Sequence, residues 1–167
     1  MQVDNICIRR LSPSDIQQIT NIYNHYIVST TATFEDEPVS EKEMLQRADF
    51  ISTKYPYLVA VSGNELIGYA YVHQWKDKSA YSATAESTIY LSPGNYYNGV
   101  GTKLMNELIS QCKKSGIHSL IACITAENTN SCKFHEKLGF KPVSYFKEVG
   151  LKFERLLDIV DYQLIIK

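Results

Sequence analysis

The feature that most limits the fold is a bend at residues 91–105, where an apolar segment passes through turn residues and continues as an amphipathic helix pattern. The stretch reads LSPGNYYNGVGTKLM, and Gly99 and Gly101 stand at the entrance to the helical pattern. A strand that crosses glycines into a helix presents free backbone N–H groups, with the positive end of the helix dipole behind them. Glycines let these amides approach a ligand closely, and pyrophosphate is the usual ligand of such a site. The bend therefore predicts an α/β fold with an anion-binding turn.

Two nucleotide-binding motifs fit this bend poorly. Gly94 and Gly99 have the glycine spacing of a P-loop, but Val100 follows where that motif requires lysine. A dinucleotide fingerprint requires a third glycine, and this chain has Leu104 there. A capped turn that binds no ligand stays open as an alternative for this segment taken alone.

Composition limits the class of protein. A chain of 167 residues with 44% hydrophobic residues suits one globular domain, residues 1–167, with a real core. The net charge is −1, from 17 Lys and Arg against 18 Asp and Glu, which disfavours a non-specific nucleic-acid binder. No apolar run approaches the roughly 20 residues that span a bilayer, and the N-terminus lacks the apolar core of a signal peptide. We therefore expect a protein without nucleic-acid or membrane partners.

The cysteines and histidines are scattered. Cys7, Cys112, Cys123 and Cys132 form no Cys-x-x-Cys pair, which is typical of reduced thiols and predicts a cytoplasmic protein. The four histidines form no ligand pair at helical spacing. The sequence therefore predicts no metal site.

Residue periodicity predicts the element order β-α-α-β-β-β-α-β-α-β-β, an α/β domain with a largely antiparallel sheet. Ser12-Pro13 and the box Ser40–Glu43 indicate the first two helix starts, and Gly116 and Gly139 the ends of the last two helices. The predicted strands are Asn5–Arg10, Tyr57–Ser62, Glu65–His73, Tyr81–Leu91, Ser119–Thr125, Val143–Glu148 and Leu156–Ile166. The predicted helices follow Ser12, run from Ser40 to near Thr53, and cover Val100–Ser115 and Ser131–Leu138.

Two motifs together resemble a known superfamily. Tyr96–Gly101 matches the glycines of the coenzyme A pyrophosphate loop, Q/R-x-x-G-x-G/A, of the GNAT N-acetyltransferases. Asn128–Phe140, NTNSCKFHEKLGF, resembles their second signature, N-x-x-[SA]-x-x-[LF]-[YH]-E-K-x-G-F. With Ala85–Leu91, Gly150–Phe153 and other segments, the chain is similar over nearly its whole length to the phosphinothricin and methionine sulfoximine acetyltransferase branch.

The resemblance implies a fold and a reaction. The implied fold is a mixed, mostly antiparallel twisted sheet flanked by helices, with a splayed central strand pair whose gap holds the pantetheine arm. The implied reaction moves the acetyl group of acetyl-CoA to the primary amine of a small molecule. The implied acceptor is an amino acid or an analogue of the phosphinothricin or methionine sulfoximine type. The branch commonly forms homodimers. A direct transfer in a ternary complex is favoured, since no Ser-His-Asp or Cys-His pairing is present in the sequence.

Glu86 and His135 are the predicted catalytic residues. Glu86 is a carboxylate in an apolar or hydroxylated strand, where partial burial would raise its pKa and make it a usable base. The alternative is a strand glutamate that faces solvent or pairs with a lysine. His135 occupies the signature position that carries histidine in this branch, and it would act as an acid or proton relay. The alternative is a helix histidine that packs against the coenzyme or caps a carbonyl.

The resemblance also implies the cofactor-binding residues. They are Ile89, Tyr90, Leu91, Tyr97, Asn98, Gly99, Val100, Gly101, Thr102, Asn128 and Ser131. A backbone N–H near Tyr90 or Leu91 would stabilise the developing oxyanion. Tyr96 stands where the motif usually has glutamine or arginine, so the loop has no cationic side chain before Lys103. We expect a coenzyme site that depends on backbone amides and the helix dipole.

The acceptor is the least defined part of the prediction. The proposed acceptor-binding residues are Tyr26, Phe34, Trp75, Lys78, Tyr81 and Ser82. Lys78 and Ser82 stand where the branch has arginines that receive an amino-acid carboxylate; lysine keeps the charge without the bidentate fork, and serine loses both. An acetyl-CoA sensor without turnover, an acetyltransferase acting on a polyamine or a peptide N-terminus, and an interaction domain that binds no coenzyme stay open as alternatives.

Overall fold

The computed structural model describes residues 6–96 and 99–166. Its strands are β1 (Ile6–Arg10), β2 (Tyr57–Ser62), β3 (Glu65–Gln74), β4 (Thr84–Leu91), β5 (Ser119–Thr125), β6 (Lys141–Lys152) and β7 (Arg155–Ile165). Its helices are α1 (Ile16–Ser29), α2 (Glu41–Ser52), α3 (Val100–Lys114) and α4 (Thr129–Lys137). The predicted element order is confirmed, although Asn5, the predicted start of the first strand, lies outside the described residues.

The seven strands form one mixed sheet in the order β1-β2-β3-β4-β5-β7-β6. Every neighbouring pair is antiparallel except β4 and β5, which run parallel. The parallel pairing covers only Thr84–Glu86 against Ser119–Ile121, after which β4 continues to Leu91 and β5 to Thr125 without pairing with each other. The predicted splayed central pair is therefore confirmed, and it leaves a gap in the middle of the sheet.

Helices cover both faces of the sheet because strand residues alternate between the faces. On one face α3 buries Leu104 and Leu108 against a cluster that includes Leu58 and Leu120. On the other face α1 and α2 pack over β2 and β3 in a cluster that includes Tyr69. Burial on both faces makes the central strands a rigid frame for the gap.

Three boundaries differ from the predicted ones for local reasons. Residues 79–81 form a short 3₁₀ turn, in which Tyr81 N–H donates to the Lys78 carbonyl at 3.0 Å, so β4 begins only at Thr84. The α4 helix begins two residues early because Asn128 caps it. Strand β6 continues to Lys152 through an irregularity between Phe146 and Gly150, which interrupts the alternation that marks a strand in sequence.

The connection between α1 and α2, residues 30–40, lies against the ends of β5 and β6; we name it the strap. Thr125 Oγ1 donates to the Thr31 carbonyl at 2.5 Å, and Lys152 Nζ donates to the Thr33 carbonyl at 2.6 Å. Lys152 is 2% exposed, and burial lowers the pKa of its ammonium group. These contacts fix the strap across the face of the sheet that carries α1 and α2.

Among the described residues, no helix is both long and apolar enough to cross a membrane.

Candidate active site

Glu86 lies at the point where the β4–β5 pairing ends. In the β3–β4 register it is opposite His73, whose Nε2 is 3.8 Å from Glu86 Oε1. The side chain of Glu86 keeps 30% of its surface exposed. Burial raises the pKa of Glu86, the neighbouring His73 lowers it, and the Asp161 carboxylate raises it. The balance is a raised pKa, which suits a carboxylate that must accept a proton near neutral pH.

The backbone of β4 turns alternate amides into the gap. Ser92 N–H donates to the Ile67 carbonyl at 3.0 Å, so the even-numbered residues of this antiparallel ladder bond to β3. The odd-numbered residues therefore point their backbone groups toward β5, and the Ala83 carbonyl indeed accepts from Ser119 N–H at 3.1 Å. Past the last paired residue, the amides of Ile89 and Leu91 face the gap.

Tyr26 is placed beside this part of β4. Its hydroxyl donates to the Leu91 carbonyl at 2.7 Å and lies 3.4 Å from the hydroxyl of Tyr96. The ring centroids of Tyr26 and Tyr90 are 4.9 Å apart. Burial raises the pKa of the Tyr26 hydroxyl, so it stays protonated and donates. Tyr26 thereby connects α1 to the end of β4 and to the loop that follows it.

The bend at the start of α3 has the geometry of an anion site. Gly99 caps the helix with φ of 68°, and a Cβ added there would meet nothing within 4 Å. The first intrahelical donor is Lys103, whose N–H bonds the Gly99 carbonyl at 3.0 Å, so the amides of Val100, Gly101 and Thr102 have no intrahelical acceptor. The predicted cofactor residues Tyr97 and Asn98 lie outside the described residues.

Packing also favours glycine at position 101. A Cβ at this position would lie 3.2 Å from the ring of Phe134, which is tighter than ordinary contact. The glycine therefore lets α3 and α4 approach each other on the same side of the gap. The residues present fit a pyrophosphate group: small side chains, free amides and the helix dipole at one turn.

Asn128 caps the start of α4, and His135 lies within that helix. Asn128 Oδ1 accepts from Ser131 N–H at 3.2 Å, which orders the first turn. His135 is 3% exposed, and its ring packs edge-on against Phe134 and Phe140 at centroid distances of 5.2 and 5.1 Å. Burial lowers the pKa of His135, although the hydrogen bond to the Ser131 carbonyl raises it. Since a carbonyl only accepts, Nδ1 carries the proton in that 2.8 Å bond and Nε2 is the basic atom of the neutral ring.

The predicted acceptor-binding residues lie at three places. Tyr26 lies at the gap, and Phe34 lies in the strap against Gly150. Trp75 and Tyr81 pack edge to face at 5.3 Å in the β3–β4 connection. The same connection carries Lys78 and Ser82, both exposed, on either side of its 3₁₀ turn.

A cavity of about 340 Å³ lies between α2 and the strands β2 and β3, on the face that carries Glu86. Its lining residues are Tyr23, Met44, Arg47, Ala48, Phe50, Ile51, Tyr57, Tyr69, Tyr71 and His73. We name this cavity the tyrosine pocket. Our sequence reasoning missed it, although Tyr69, Tyr71 and His73 recur at every second position and therefore share one face of β3.

No cluster of three or more His, Cys, Asp or Glu side chains with a geometry for metal binding occurs in residues 6–96 and 99–166. All four cysteines are free thiols. Burial, followed by the carboxylates of Asp161 and Glu86, raises the pKa of Cys123 to about 12. This thiol near Glu86 is therefore protonated at neutral pH and is a poor nucleophile.

Known proteins match this geometry and sequence. The family model for the acetyltransferase (GNAT) domain matches residues 8–160. Phosphinothricin N-acetyltransferase of Alcaligenes faecalis is 37% identical over 92% of this chain and 79% of its own length. L-methionine sulfoximine/L-methionine sulfone acetyltransferase of Salmonella typhimurium is 32% identical over 94% of this chain and 92% of its own.

A solved structure gives the same result for the fold. The phosphinothricin acetyltransferase of Sinorhizobium meliloti in complex with acetyl-CoA superposes with a TM-score of 0.93 at 34% identity, covering 96% of this chain and 88% of that one. The open β4–β5 gap and the free amides at α3 are thus features of a chain that matches an acetyl-CoA complex. The chain belongs to the GNAT acetyltransferase family and is an acetyl-CoA-dependent N-acetyltransferase.

Proposed function

We propose that the chain transfers the acetyl group of acetyl-CoA directly to the primary amine of a small amino-acid-like molecule, of the phosphinothricin or methionine sulfoximine type, in a ternary complex. The observation that carries the proposal is the position of Glu86, a carboxylate with a raised pKa at the point where the gap opens. The names of the relatives from A. faecalis and S. typhimurium support the substrate class.

Glu86 acts as the general base in this proposal. An amine must lose a proton to become a nucleophile, and a carboxylate with a raised pKa is better matched to that proton than an ordinary one. His73 Nε2 lies 3.8 Å from Glu86 Oε1, opposite it on the neighbouring strand. The proton leaves the amine for Glu86, directly or through one water molecule.

The amides at the gap provide the electrostatic part of catalysis. Bound acetyl-CoA supplies the acetyl group as a thioester, whose carbonyl oxygen gains negative charge during transfer. The free N–H groups of Ile89 and Leu91 face the gap and are placed to donate to that oxygen and to the pantetheine arm. Tyr26 fixes the carbonyl of Leu91, so the peptide groups of this strand end keep a defined orientation.

A direct transfer is supported by the protonation state of Cys123, a thiol whose pKa is raised by burial and by the carboxylates of Asp161 and Glu86. Cys123, with a pKa of about 12, holds its proton at neutral pH and cannot readily attack a thioester. His135 is the candidate acid or relay, through Nε2 of a ring whose Nδ1 is occupied by the Ser131 carbonyl. We propose that Nε2 accepts the second proton that the amine nitrogen loses after attack and passes it to the leaving thiolate. We also propose that Lys78 and Ser82 contact the acceptor from the β3–β4 connection.

The test is a panel of amines with acetyl-CoA, read by release of free thiol. We expect turnover on amino-acid-like primary amines and calorimetric binding of acetyl-CoA in the absence of any amine. Binding without turnover on any amine would indicate a sensor domain and overturn the proposal. Absence of acetyl-CoA binding would refute the coenzyme site itself.

We also propose that the chain forms a homodimer through β6. This strand is an edge of the sheet and exposes Val143, Tyr145, Val149 and Leu151, each more than half accessible. An exposed edge with apolar side chains is a surface that a second chain can cover. Light scattering should give twice the mass of 19.0 kDa, and Leu151→Glu should shift it toward the monomer.

The free state of the cysteines bears on the cellular compartment in which the protein acts. Cys7, Cys112, Cys123 and Cys132 are all unpaired by disulfide bonds. Free thiols persist in reducing compartments. We therefore propose that the enzyme acts in the cytoplasm, where acetyl-CoA is its co-substrate.

A further inference from the structure

Asp161 is a half-buried carboxylate near the middle of β7, between Val160 and Tyr162. It lies directly opposite Cys123 of β5 on one side and opposite Ser144 of β6 on the other. A carboxylate within a sheet loses part of its hydration and needs partners in compensation. None of the steps proposed above uses this charge.

Asp161 is on the same face of the sheet as Glu86. Opposed residues of paired strands share a face, and every second residue of a strand returns to it. Glu86 is opposite Ile121 in the β4–β5 pair. Cys123, two residues after Ile121, is opposite Asp161 in the β5–β7 pair. Three neighbouring strands therefore present Glu86, Cys123 and Asp161 on one face, at the point where the gap opens.

Helical cover ends on this part of the face. Helices α1 and α2 pack over β2 and β3 in the cluster that includes Tyr69. Every residue of β5 is buried except Cys123, which is exposed. An acceptor that reaches Glu86 over the gap therefore passes a face that carries the charge of Asp161.

The Asp161 carboxylate is held in one orientation. Ser144 Oγ donates to Asp161 Oδ2 at 2.8 Å, and the Asp161 N–H donates to Ser144 Oγ at 3.3 Å. Both residues belong to paired strands, so the carboxylate sits on a rigid frame. Within residues 6–96 and 99–166, no lysine or arginine forms a salt bridge with Asp161.

The charges around Glu86 come from several elements. The titratable or charged groups are His73 and Tyr71 on β3, Cys123 on β5, Asp161 on β7 and, across the tyrosine pocket, Arg47 of α2 with its partner Glu35. Burial raises the pKa of Tyr71 to about 12, and burial with the nearby carboxylates raises that of Cys123 to about 12, so both are neutral near pH 7. Burial is the main cause of the raised pKa of Glu86; His73 lowers this pKa, and Asp161 raises it further.

We propose that Asp161 is a positioning residue that acts through Glu86: its fixed negative charge makes Glu86 a stronger base and attracts the cationic amine that Glu86 must deprotonate. The inference rests on the proposed function, in which Glu86 is the base. The amine N–H bond breaks, its proton passes to Glu86, and the nitrogen lone pair attacks the thioester carbon. Asp161 neither gains nor loses a proton in this step.

The experiment measures kcat against pH, and KM for the amine, with saturating acetyl-CoA and the best acceptor of the amine panel. Asp161→Asn keeps the shape of the side chain and removes its charge. The acid-side midpoint of kcat should move to lower pH, because Glu86 then loses its proton more readily, and KM for the amine should rise. Below the wild-type midpoint, the variant should keep about two- to tenfold more of its plateau activity than the wild type, as expected for one charge about 10 Å away across two strand spacings.

Two variants control the result. Asp161→Glu keeps the charge and should keep the wild-type midpoint. Asp49→Asn removes the same charge from an exposed position of α2 and should leave the midpoint and KM unchanged. An unmoved midpoint in Asp161→Asn, an equal shift in either control variant, or loss of acetyl-CoA binding by calorimetry in Asp161→Asn would overturn the assignment while the acetyltransferase activity stands.

Failure of the proposed function would look different. Absence of thiol release with every amine in the wild type would refute that function, and this inference with it. An unchanged kcat and midpoint in Glu86→Gln would refute the proposed base, whatever the behaviour of the Asp161 variants.

Discussion

The contact between Gly150 and Phe34 allows a quantitative test of how the strap is held. A Cβ built on Gly150 would lie 2.0 Å from Phe34 Cε2 and 2.6 Å from Cζ. Ordinary carbon–carbon contacts lie at about 3.5–4.0 Å, so in Gly150→Ala the ring must retreat by about 1.5 Å or more. The contact therefore joins β6 to the strap without space for even a methyl group.

The expected cost follows from overpacking. Forcing an extra methyl group against a packed ring costs about 1–3 kcal/mol of unfolding free energy. For a chain of this length, each kcal/mol lowers Tm by about 2–4 °C, so Gly150→Ala should lower Tm by about 2–12 °C. Lys141→Ala, at an exposed position of the same strand, should change the unfolding free energy by no more than about 0.5 kcal/mol.

A double-mutant cycle isolates the contact. Phe34→Ala removes the ring, so Gly150→Ala should cost almost nothing in that background, which gives a coupling of about 1–3 kcal/mol. Urea unfolding of the four proteins measures it. In enzyme assays, Gly150→Ala should raise KM for the amine more than KM for acetyl-CoA, because Phe34 of the displaced strap is a predicted acceptor-binding residue. Additive costs, or an unchanged stability of Gly150→Ala, would refute this reasoning.

Four further changes test the site. Glu86→Gln should lower kcat by about 10²-fold or more with acetyl-CoA binding intact; in the wild type, the activity should fall with decreasing pH through a pKa above the ordinary 4.5, because burial raises it. Gly99→Ala places a side chain at a φ of 68° and should cost about 1–2 kcal/mol in thermal unfolding, with weaker acetyl-CoA binding by calorimetry. Tyr26→Phe removes the bond to the Leu91 carbonyl and should cost about 1 kcal/mol and raise KM for acetyl-CoA. Tyr96→Arg restores a cation beside the coenzyme loop and should tighten acetyl-CoA binding in calorimetry.

The parts of the fold that the sequence predicts are those set by local chemistry. The Ser40 side chain accepts from Glu43 N–H at 3.1 Å, as the capping box predicts, because both partners lie within one turn. Gly99 and Gly116 have positive φ values of 68° and 82° at the two ends of α3. Caps, turns and alternation need no knowledge of distant residues, so the element order could be predicted.

The parts that escaped prediction depend on distant residues. Tyr26 bonds Leu91, 65 positions later, and Lys152 bonds Thr33 across 119 positions. Nothing in the local sequence around Tyr26 indicates which strand it will contact. The sequence therefore cannot distinguish a tyrosine that lines the acceptor site from one that bonds the backbone of β4. The tyrosine pocket was missed for a related reason, since its volume exists only where side chains of α1, α2, β2 and β3 pack together, and local sequence patterns do not show that packing.

The alternation of β4 explains how one strand can serve two substrates at once. Its even-numbered residues bond to β3 through their backbones and direct the Glu86 side chain to the face of the tyrosine pocket. Its odd-numbered residues turn their amides into the gap, where Ile89 and Leu91 meet the coenzyme in our proposal. Even- and odd-numbered residues alternate along β4. An acceptor on the pocket face and a thioester in the gap would therefore contact β4 at positions only one or two residues apart. The end of the β4–β5 pairing at Glu86 is therefore the point at which base, acceptor and acetyl donor can meet without any movement of the sheet.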